Sequence, residues 1–99
     1  MIRPLEYCDN LSHIRSSIDC IDYRIIELIA QRAQYVQQAA QYKSSLEEVK
    51  AEQRVINMFE QRNDWATNFK IEGKLVESVF QSIINHFINK ETEIFHEQS

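Results

Sequence analysis

Four cations and one acid carry the chemistry this chain could do: Arg15, Arg32, Lys43, Arg54 and Glu91. Arg32 occupies an a position of an otherwise apolar heptad seam. A guanidinium there is costly unless it is paired. It reads either as half of a structural ion pair or as an anion site. Lys43 follows 11 residues later. On a helix that is about 1100°, three turns plus about 20°, and about 16 Å along the axis. Both cations then share a face, with Val36 and the small Ala39 between them. Two cations flanking a short apolar floor suit a compact anionic ligand. For Lys43 alone, a solvated lysine complementing a helix C-terminus is the competing reading.

Arg15 precedes Arg32 by 17 residues, about 25 Å and about 100° round a helix. One protomer cannot bring both to one small ligand. An antiparallel or intertwined dimer can, through Arg15 of the partner subunit. The competing reading is local pairing of Arg15 with Asp19 or Asp22. Glu91 interrupts the stripe Ile84, Phe87, Ile88 and Phe95. It is expected to be partly buried, either as a neutral acid that donates a hydrogen bond or as a partner of Arg32. Arg54 opens a helix just after a connection that could fold over a ligand; otherwise it is solvent-exposed.

Cations without a nucleophile or base fit a protein that holds an anion in a reactive conformation and stabilises developing charge. They fit a binding module for a dianion equally well. Other constellations are weaker. Glu93-x-x-His96 has the spacing of helical di-iron sites, but a second copy is missing. His13 and His86 have no ligand neighbours at metal spacing, and no serine sits on a Gly-rich elbow. Cys8 and Cys20 read as free thiols of a reducing cytoplasm. No metal and no cofactor is expected.

The elements that must position these residues are helices. The 99 residues contain one glycine, Gly73, and one proline, Pro4. Turn-rich β folds and phosphate-cradling loops are thereby excluded. Net charge is 11 − 15 = −4, which argues against a nucleic-acid partner. The N-terminus lacks the apolar core of a signal peptide, and no run approaches the ~18 apolar residues of a membrane span. A single domain over 1–99 in the cytoplasm is expected.

Leu11, Ile14, Ile18, Ile21, Ile25, Leu28, Arg32, Tyr35, Ala39 and Tyr42 follow 3-4 spacing without a slip. This predicts a helix over 11–43, started by Asn10 or Ser12. A connection is expected near 44–51, where Ser45 and Glu48 fit a capping box. A second helix carries Val55, Met58, Phe59, Trp65 and Phe69. A turn follows over 68–73, and a third helix runs from Val76 to Phe95. The fold class is all-α, a three-helix protomer with one long N-terminal helix. Most of that helix has nothing to pack on in a monomer, so a symmetric homodimer is expected.

The stretches Cys8-x-x-Leu11-x-x-Ile14-Arg15-x-x-Ile18-Asp19-x-Ile21-Asp22, Leu28-Ile29-Ala30-Gln31-Arg32 and Ala39-Ala40-Gln41-Tyr42-Lys43 resemble isochorismate-pyruvate lyases of the all-helical chorismate mutase family (type II). Arg54-Val55 with Met58, Trp65-Ala66, and Val76-Glu77 through Phe80, Ile83-Ile84 and Ile88 continue the resemblance, which covers residues 5–97. It implies an intertwined homodimer of the chorismate mutase II fold. In each of its two sites, Arg15 of the partner subunit would join Arg32, Lys43, Arg54 and Glu91. Arg15 and Arg32 would hold the substrate's carboxylates. Lys43 would bind at the ether oxygen and a carboxylate, and Arg54 would close the site with the 44–53 loop. Val36, Ala39, Met58 and Ile88 would form the apolar walls. Many members carry Gln where this chain has Glu91, and a glutamate donates a hydrogen bond only when protonated.

The resemblance implies conversion of isochorismate to salicylate and pyruvate by a concerted pericyclic reaction, for a siderophore or another product. Weak chorismate mutase activity would accompany it. The nearest rival is a dedicated mutase on chorismate or an amino-chorismate. The rival from another class is a non-catalytic helical dimer that binds a small dianion.

Overall fold

The computed structural model describes residues 1–98. Two compact units are formed, Met1–Tyr35 and Val36–Ser99, with α1 (Leu11–Ala40) running from the first into the second. Its 30 residues span about 45 Å. In the first unit, Asn10 starts this helix: its Oδ1 accepts from the His13 backbone N–H at 2.9 Å. A short 3-10 turn at Leu5–Tyr7 precedes it. The N-terminal strand of chain lies on α1 through Arg3, whose backbone N–H donates to the buried Ser17 Oγ at 3.0 Å. The seam residues Leu11, Ile14, Ile18, Ile21, Ile25 and Leu28 are 40–57% exposed in the single chain. A contiguous apolar stripe of this kind marks an interaction surface.

The second unit holds α2 (Leu46–Lys50), α3 (Glu52–Asn68) and α4 (Gly73–Gln98). Helix α4 packs against both α2 and α3. Ala40, Val49, Met58, Ala66 and Ile84 are buried. The three long helices are those the periodicity predicts. The expected connection contains the additional five-residue α2.

Helix α1 stops three residues before the expected Lys43. Its exit tightens into i to i−3 bonds, Gln41 to Gln38 at 3.2 Å, Tyr42 to Ala39 at 3.0 Å and Lys43 to Ala40 at 3.3 Å. Ser45 then adopts extended backbone, φ −143° and ψ 160°, and its side chain accepts from the Glu48 N–H. That N-cap geometry cannot continue a helix, so the seam's passage through Leu46 and Val49 is interrupted. Ala51, at φ 43°, ends α2 and begins α3 in the left-handed region.

The turn after α3 is a Schellman motif. Ile71 N–H reaches Ala66 O at 2.9 Å and Lys70 N–H reaches Thr67 O at 3.1 Å, with Lys70 at φ 58°. The single glycine serves a different need. A Cβ on Gly73 would meet Asn63 Oδ1 at 2.4 Å, so α4 starts in close approach to α3. Among the described residues no helix is long and apolar enough to cross a membrane.

Candidate active site

The segment after α1 and the C-terminal third of α4 meet through one charged pair. Lys43 Nζ donates to Glu91 Oε2 at 2.5 Å. The lysine side chain is 23% exposed and the carboxylate 8%. Glu91 is buried, as its place in an apolar stripe predicts. Its observed partner is Lys43, where the sequence offered Arg32 or a neutral acid. The cause is the early end of α1. Lys43 lies beyond the last residue of α1, and its long side chain turns to α4.

A half-buried ion pair of this kind gives little net stability, because desolvation offsets much of the Coulombic attraction. Its chemical potential is greater. An ammonium carries three donors, and Glu91 accepts one of them. The others are left for further acceptors. One turn before Glu91, the Ile88 carbonyl accepts from Thr92 Oγ1 at 2.8 Å.

The remaining residues singled out in the sequence are placed as follows. Within the second unit, Met58 is buried, Val36 and Ile88 are half-buried, and Ala39 and Arg54 are exposed. Within the first unit, Arg32 is half-buried with its Nη1 closed off from solvent. Arg15 is exposed and makes no ion pair with Asp19 or Asp22 among the described residues.

Two further groups escaped the sequence reading. Arg62 lies over the Trp65 ring at 5.0 Å and the Phe80 ring at 5.2 Å, joining α3 to α4 by cation–π contact. The i, i+3 spacing of Arg62 and Trp65 was the available signal. Glu48 also does more than close a capping box, for its carboxylate reaches back to Ser44.

Three long helices hold this half-buried cation–carboxylate pair. The sequence pattern of chorismate mutase type II matches residues 14–92, and the chain belongs to that family. It is also 35% identical over 83 residues to the isochorismate pyruvate lyase of Pseudomonas aeruginosa, a match covering 84% of this chain and 82% of that protein.

Proposed function

We propose that the protein is an isochorismate-pyruvate lyase with weak chorismate mutase activity. The single observation that carries the reading is the Lys43–Glu91 pair, set in a chain related over most of its length to a lyase of that name. In the reaction a hydrogen passes from the ring to the enolpyruvyl methylene as the ring C–O ether bond breaks. The ether oxygen becomes the keto oxygen of pyruvate and the ring becomes aromatic as salicylate. Atoms balance without an added oxidant, nucleophile or base. Negative charge grows on the ether oxygen, and Lys43 is the donor proposed to meet it.

Arg32 and Arg15 of the partner subunit would hold the two carboxylates, and Arg54 would close the site. Val36, Ala39, Met58 and Ile88 would press the enolpyruvyl arm over the ring, the positioning on which a pericyclic step depends. The two units would be parts of one domain, and the exposed seam of α1 would be covered by a second copy. A dedicated chorismate mutase is the second reading, favoured by the family match itself.

Parallel incubations test the proposal. Salicylate fluorescence is followed with isochorismate, and prephenate, converted by acid to phenylpyruvate, with chorismate. Fast salicylate with slow prephenate is expected. Prephenate alone makes the protein a mutase. Silence in both, from a folded dimer, leaves the dianion-binding reading.

A further inference from the structure

Lys43 stands beyond the last residue of α1, Ala40, to which its backbone N–H still donates at 3.3 Å. A second hold lies on the other side. Ser44, its immediate neighbour, donates its backbone N–H to Glu48 Oε2 at 2.8 Å and its Oγ–H to Glu48 Oε1 at 3.2 Å. Ser45 Oγ accepts from the Glu48 N–H at 3.1 Å. In an ordinary capping box the carboxylate at N3 bonds the N–H of the cap residue itself, which here is Ser45. Glu48 reaches one residue further and commits both oxygens to Ser44.

The other end of this brace is anchored. Helix α2 packs against α4 and carries Val49, which is 2% exposed. Helix α4 carries Glu91, the partner of Lys43. The chain thus closes a circuit from Lys43 through Ser44 and Glu48 into α2, across to α4, and back through Glu91. A lysine side chain has several rotatable bonds, so its ammonium is held only if its Cα is held as well.

We infer that Glu48 is a positioning residue for Lys43. Its carboxylate fixes the Ser44 backbone and so sets the ammonium on Glu91, ready for substrate. The kinetic consequence rests on the lyase reading; the placement of Lys43 does not.

The placement is tested by acetylating surface amines of the full chain and following each lysine by mass spectrometry, with exposed Lys74 as internal reference. Glu48→Ala is expected to speed acetylation of Lys43 several-fold. Glu48→Gln, which can keep both contacts to Ser44, should stay near wild type. Ser45→Ala is the control for α2 itself, since it removes the cap to Glu48 N–H and leaves the Ser44 contacts. Unchanged Lys43 acetylation in Glu48→Ala overturns the inference, and so does an equal rise in Ser45→Ala. Glu48→Leu serves the same comparison if the alanine variant does not fold.

In turnover, Glu48→Ala should lower kcat about tenfold with little change in KM. It should cost nothing further in a Lys43→Ala background. An equal loss in that background means Glu48 does not act through Lys43. If the wild type turns over neither substrate, the lyase reading fails while acetylation still decides the placement.

Discussion

Glu91 accepts a hydrogen bond from Lys43, a residue 48 positions earlier, at 2.5 Å, and its side chain is only 8% exposed while doing so. The pair ties the exit of α1 to α4. It places a cation with spare donors beside an acid.

Removing the lysine alone strands the carboxylate. An unpartnered buried group of this kind costs about 1–3 kcal/mol. Lys43→Ala should therefore lower stability by about that amount in urea unfolding, and adding Glu91→Leu should restore part of it. Strictly additive losses in the double variant would show that the two residues do not act as a pair.

Glu91→Gln addresses the acid's role. An amide can donate to an ether oxygen at every pH, whereas a carboxyl donates only while protonated. Glu91 accepts from Lys43, so Glu91→Gln, which removes the charge that pairs with the ammonium, is expected to lower turnover. Turnover in the Gln variant equal to or above wild type would show that a neutral donor serves at this position.

Lys70 occupies the left-handed position of a Schellman motif at φ 58°, where a side chain costs roughly 1–2 kcal/mol. Lys70→Gly removes that strain and loses about 0.5–1 kcal/mol through a more flexible unfolded chain. A rise in Tm of a few degrees is expected from calorimetry at fixed protein concentration. A fall would mean that the Lys70 side chain contributes more than its backbone strain removes.

What was legible in the sequence was local. The 3-4 spacing from Leu11 onward predicted α1, and Asn10 and Ser45 cap where their side chains suggested. Helix α2 was not legible, because five residues carry no usable period. The Lys43–Glu91 pair was hidden for a related reason. It depends on where α1 stops, and Gln41-Tyr42 contains no breaker to mark the stop. Lys70 was invisible because glycine is the expected residue there. Arg15 and Arg54 are exposed in the single chain, so their roles depend on what covers them.

The apolar seam of α1 gives that cover a direct check. Ile14, Ile18, Ile21 and Ile25 are 40–49% exposed, and an apolar stripe of this kind favours association. Sedimentation should find a dimer, and Ile21→Glu should shift it toward monomer and abolish turnover together. A monomeric wild type, or an active monomeric variant, would contradict a site built with Arg15 of the partner subunit.

The most direct test of the account is salicylate release from isochorismate by the wild type and by Lys43→Ala, at equal folded concentration. Loss of a donor aimed at developing charge costs about 10²–10³ in kcat. Rapid salicylate formation is expected from the wild type, with a fall of that order in the variant. No salicylate from the wild type, or equal rates from both, would contradict it.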